Sequence, residues 1–150
     1  MSTGEQPELE QLNFVTRDID ATVAFYRRLG VPVADSGDDW PPGSGARHVE
    51  IAMGNGMSLE LDNVASASTW HAGVRAPGAE AHGTVVFGFA LPTREAVDET
   101  YAELVGAGAV GRQEPYDAFW GARYAIVTDP DGHDIGLMSP KDPARRAAPE

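Results

Sequence analysis

The chain has 150 residues, 11 Lys and Arg against 23 Asp and Glu, a net charge of −12 and no cysteine. That length suits one domain with a core of its own, and the negative charge disfavours phosphate backbones and anionic lipid, so nucleic acid and membranes are not expected partners. Without cysteine there is no disulfide, thiolate ligand or cysteine nucleophile.

The opening MSTGEQPELEQ lacks a basic segment followed by an apolar one, and no apolar run is long enough to span a bilayer, so a cytoplasmic location is expected. Its basic residues are almost all Arg, with Lys141 alone, and together with abundant Ala and Gly this suggests a bacterial source.

In chain order, a first alternating stretch around Leu12 and Phe14 reads as a strand. Asp18 follows as a helix N-cap, then IDATVAFYRRLG as a helix ending at Gly30. Three strand-like stretches come next: VPVADS (31–36), RHVEIAM (47–53) and MSLELD (57–62), the last two joined by a GNG turn. The pattern then recurs at an offset of 75, for Leu12 and Phe14 align with Phe87 and Phe89, Asp18 with Thr93, Tyr26 with Tyr101 and Leu29 with Leu104. The second copy comprises a strand with Val85, Phe87 and Phe89, a Thr93-capped helix, and strands at 110–117, 122–129 and 133–138. A DPDG turn joins the last two, with Pro130 fixing φ and Gly132 taking positive φ. The expected architecture is α+β: one domain of two βαβββ modules, about 9–62 and 83–140, a connector at about 63–82, and frayed termini.

Three stretches, RDIDATVAFYRRLG (17–30), MSLELD (57–62) and FWGARYAIVTDPDGHDIGLMSP (119–140), resemble the vicinal-oxygen-chelate superfamily of glyoxalases, bleomycin-type resistance proteins and extradiol dioxygenases. The resemblance covers about residues 9 to 140. It implies a mixed sheet curled into a cup around a cavity, and a divalent ion held at four equivalent strand positions in the enzymes. Those positions correspond here to Gln11, Glu60, Val86 and Gly136. Valine and glycine offer no side-chain donor, so neither a metal nor another cofactor is expected. His48, His71, His82 and His133 fall on none of the four; His48 opens an alternating strand and is left facing either way.

Strand alternation puts Asn13, Glu60, Gly88, Gly136 and Met138 on the cup face, with Gly88, Ala90 and Gly136 leaving volume for a ligand. Trp40, Trp70, Phe119 and Trp120 stand in flanking loops as stacking surfaces. These nine residues are the expected ligand-binding set, and no catalytic residue is assigned. The expected function is metal-free capture of a flat, neutral or cationic aromatic molecule, resembling the antibiotic- and toxin-sequestering members that confer resistance. Those relatives imply a homodimer. The alternative is a metal-dependent lyase or oxidoreductase of glyoxalase or dioxygenase type, or a metal-free enzyme with Glu60 as base.

Overall fold

Two side chains start the two main helices. The Asp18 carboxylate accepts from the Ala21 amide at 3.1 Å and the Thr93 hydroxyl from the Ala96 amide at 3.0 Å, each satisfying a donor that has no partner within its helix. In this computed structural model, which describes residues 8–35, 37–78 and 85–148, the helices are α1, Ile19–Leu29, and α3, Arg94–Gly106, with a short α2, Val64–Ala67, between them. Gly30 and Gly108 follow the two long helices at φ of 106° and 108°, a left-handed conformation that ends a helix without Cβ strain.

The strands are β1 (Gln11–Thr16), β2 (His48–Ala52), β3 (Ser58–Asn63), β4 (Val86–Ala90), β5 (Gly111–Asp117), β6 (Arg123–Thr128) and β7 (Asp134–Met138). They form two mixed sheets, ordered β1-β3-β2 and β4-β7-β6-β5, so the class is α+β as the repeat indicates. The chain divides into two compact units: Met1–Val23 with Val31–Ala76, and Ala24–Gly30 with Pro77–Glu150.

In the first unit, β1 runs parallel to β3, and β2 returns antiparallel to it through the GNG turn. Phe14 and Val49 both lie opposite Leu61, and Ile51 lies opposite Leu59; all five are buried, which fixes the register because a slip by one residue would turn this apolar set to the other face. In the second unit β4 is parallel to β7, β6 and β5 continue antiparallel, and α3 packs on β5, β6 and β7. Val97 and Leu104 of α3 and Ala125, Val127, Ile135 and Leu137 of the sheet are buried.

Three expectations are corrected. Residues 31–35 form no strand: Pro32 has no N–H to give a ladder, and the Val33 amide closes a tight turn onto the Val31 carbonyl at 2.9 Å. Val31 and Val33 still bury their side chains, so the apolar spacing is real while the strand is not. Among the described residues the first module therefore has three strands. The connector begins with α2, capped by Asn63, whose side chain accepts from the Ser66 amide. Finally, the described C-terminal residues are tied down rather than frayed: the Asp142 amide donates to the Gly121 carbonyl at 3.0 Å and the Ala147 amide to the Phe119 carbonyl at 2.8 Å.

The DPDG turn is locked from inside. One Asp129 oxygen accepts the Asp131 and His133 amides, both at 2.9 Å, while the other lies 2.8 Å from the Tyr26 hydroxyl and 2.7 Å from His133 Nδ1. Gly132 takes a φ of 88°, as the turn requires.

Candidate functional site

An open pocket of about 350 Å³ lies in the first unit, lined by Gln11, Asn13, His48, Glu60, Asp62, Ser66 and Trp70. The hairpin builds its floor. With Val49 and Ile51 buried, His48 and Glu50 fall on the opposite face of β2, and the register sets His48 opposite Asp62 and Glu50 opposite Glu60. Parallel pairing places Asn13 of β1 opposite Glu60 and Gln11 opposite Ser58. Helix α2 then brings Ser66 against the floor, and two turn hydrogen bonds to the Ala67 carbonyl, from the Trp70 and His71 amides, carry Trp70 to the wall.

His48 sits between two carboxylates. Its Nδ1 is 2.8 Å from Asp62 Oδ1 and its Nε2 is 3.2 Å from Glu60 Oε1. Asp62, whose side chain is 1% exposed, also accepts from Ser66 Oγ at 2.7 Å and from Asn13 Nδ2 at 3.3 Å, so its burial is offset by a full set of donors. Glu60 accepts from Ser58 Oγ at 2.8 Å, and Gln11 donates to Asn13 Oδ1 at 2.6 Å. Burial disfavours charge on the His48 ring, yet the hydrogen bond to Asp62 and the charges of Asp62, Glu60 and Glu50 outweigh it and hold the ring's pKa above the usual histidine value.

The nine expected residues are not all brought to this pocket. Asn13, Glu60 and Trp70 line it. Trp40 belongs to the same unit but stands 77% exposed in the loop before β2 and is not among the lining residues. The other five belong to the second unit. Phe119 and Trp120 meet edge to face, with ring centroids 5.2 Å apart, and Trp120 meets Tyr124 in the same way at 5.3 Å. Gly88 and Gly136 are cross-strand partners on one sheet face, with Met138 two residues along β7. Gly88 faces open space, but Gly136 does not leave the volume expected of it: a Cβ there would lie 2.9 Å from the Tyr124 hydroxyl and 3.2 Å from Val86 Cγ1. Tyr124 already occupies that room.

Alternation leaves His48 facing either way and puts Asp62 on the cup face without making it a ligand contact, and Ser66 has no place in the expected set. The signal for His48 was present. The GNG turn is centred on Asn55, so residues equidistant from it pair, and His48 must share a face with Asp62. Ser66 had no such signal, because α2 falls within the stretch read as connector.

The four positions that the resemblance gives to metal ligands do not fit a divalent ion. Of Gln11, Glu60, Val86 and Gly136, the last two have no side-chain donor atom. Glu60 is engaged by Ser58 and His48, and each nitrogen of His48 faces a carboxylate rather than a shared point. Among the described residues no three His, Asp or Glu side chains are grouped to hold a metal.

A family model for the Glyoxalase/Bleomycin resistance protein/Dioxygenase superfamily matches residues 8–137, and the chain belongs to that superfamily. Among solved structures it is similar to a glyoxalase-related enzyme from Fulvimarina pelagi, with a TM-score of 0.70 and 18% identity over 90% of this chain and 89% of that one. It is also similar to a glyoxalase/bleomycin resistance protein/dioxygenase from Nocardioides, with a TM-score of 0.66 and 20% identity over 97% and 91% of the two chains. A family enzyme from Burkholderia phytofirmans gives 0.62 and 20% over 89% and 98%. At these identities the likeness concerns the fold. No curated protein matches the chain.

Proposed function

We propose that this protein binds a small aromatic molecule without transforming it, as a metal-free sequestering protein of the kind that confers resistance to an antibiotic or toxin. The observation that carries the reading is the first-unit pocket, where the Trp70 indole stands beside polar groups that are hydrogen-bonded to one another. A flat wall with a few fixed polar partners suits recognition of a ring bearing polar substituents. The donor set described above does not favour the metal-dependent alternative. Among the described residues no helix is long and apolar enough to cross a membrane.

A thermal-shift screen of planar antibiotics tests the reading. At a ligand concentration about a hundredfold above Kd, a binder is expected to stabilise the fold by about 2.7 kcal/mol, and Trp70→Ala should remove most of that gain. A screen without shifts, or a hit that is turned over and released as product, would refute it.

The protein is further proposed to act as a homodimer. The outer edges of both sheets carry no strand partner among the described residues, and Val85, just before β4, and Val86, its first residue, are 54% and 44% exposed. Light scattering should give about twice the chain mass of 15.9 kDa, and a monomer mass at micromolar concentration would overturn this.

A further inference from the structure

We propose that the first-unit pocket is a receptor for an organic ammonium, in which His48 is an internal stand-in and the ligand's N–H donors take its place beside Glu60. This rests on the small-molecule reading above and specifies the chemistry of the ligand.

Among the described residues the lining holds two carboxylates and no Lys or Arg, and His48 faces both carboxylates. Glu50, on the same face of β2 and opposite Glu60 in register, adds a further negative charge. β1 contributes the neutral Gln11 and Asn13, and α2 the neutral Ser66. Arg47, next to His48 in sequence, is turned to Asp20 at 2.8 Å and to the Gly37 carbonyl at 2.6 Å. Among the described lining residues the positive character thus comes from one ring.

That ring is also the replaceable member. The His48 side chain is 40% exposed, whereas Glu60 is 13% and Asp62 1% exposed. If His48 swings outward, Asp62 keeps Ser66 and Asn13 as donors, so no buried carboxylate oxygen pair is stripped of partners. Glu60 keeps Ser58 alone and has lone pairs for a new donor. An ammonium there gains a charge-assisted hydrogen bond, and the Trp70 ring offers a π face to the same cation or to the ring that carries it.

The inference separates from simple pocket lining by the sign of one substitution. A residue that contacts ligand weakens binding when altered, whereas a residue that competes with it strengthens binding. Isothermal titration calorimetry on the full chain would use three indoles of similar outline: tryptamine (cationic), N-acetyltryptamine (neutral) and indole-3-propionate (anionic). Tryptamine should bind about tenfold or more tighter than the other two, a difference set by one charge-assisted contact. His48→Gln should tighten tryptamine binding several-fold, and Glu60→Gln should weaken it about tenfold.

Equal affinities for the three indoles, or weaker tryptamine binding in His48→Gln, would overturn the proposal while leaving the small-molecule reading standing. No binding of any indole, beside a positive planar-antibiotic screen, has the same meaning; failure of both experiments removes both readings. If circular dichroism shows that His48→Gln is misfolded, the three-indole comparison on the parent protein decides.

Discussion

Asp129→Ala is expected to lower unfolding stability by about 4 kcal/mol, because it strands several donors at once. The Tyr26 hydroxyl, on a fully buried side chain, loses its acceptor, and the amides of Asp131 and His133 and the His133 ring lose theirs. Against a typical domain stability of about 5–15 kcal/mol, such a loss is a large fraction of the whole. Tyr26→Phe is the control: it removes one donor, leaves Asp129 its other three, and should cost about 1–1.5 kcal/mol. Denaturant titration of both variants checks the pair, and equal losses would show that Asp129 acts through Tyr26 alone.

The same cluster has a pH signature. Burial disfavours charge on His133, but the hydrogen bond to Asp129 and the charges of Asp129, Asp131 and Asp134 outweigh it and raise its pKa. A raised histidine contributes stability that is fully present below the unfolded value of about 6.5 and is lost as pH rises through the folded pKa. Stability should therefore decline as pH rises from about 6.5 in the parent, and the decline should be shallower in Asp129→Ala, where the His48 contribution remains.

Gly121→Ala is the second large effect, expected to cost about 3 kcal/mol from two sources. Gly121 has a φ of 95°, which L side chains rarely adopt, and a Cβ there would run into the Asp142 carbonyl oxygen. The neighbour is backbone, held by its own hydrogen bond to the Gly121 carbonyl, so it cannot turn aside as a flexible side chain would. The strain should spread to the adjacent Phe119 and Trp120, and a change in tryptophan emission should accompany the lower denaturation midpoint. A variant as stable as the parent would show that the 142 segment moves freely away.

Most of the fold was legible because its signals are local and periodic. The caps at Asp18 and Thr93, the glycines after both helices and the alternating apolar positions of β3, β6 and β7 each state one physical requirement. VPVADS misled because two buried valines with one residue between them look the same in a strand and in a tight turn; Pro32 was the residue that distinguished them. The site was harder to read. Alternation reaches Glu60, Asn13 and Asp62, the loop aromatics include Trp70, and the GNG turn pairs His48 with Asp62, but the bond from Asn13 to Asp62, 49 positions apart, and the place of Ser66 beside it leave no local pattern. Gly136 shows the opposite error. A small residue suggests space, yet Tyr124, from the neighbouring strand, fills it.

The hairpin closed by Gly54, Asn55 and Gly56 has a consequence for how this pocket can change over generations. Both glycines stand at positive φ, and the turn sets the count of residues between His48 and Asp62. Losing or gaining one residue there would rotate β2 by half a period, presenting Val49 and Ile51 to the pocket and sending His48 toward the core. A change of two residues would keep the parity and slide the ring along the strand to a different carboxylate. The length of this turn is thus a two-position selector: even steps vary which polar pair is formed, and odd steps replace a polar pocket with an oily one.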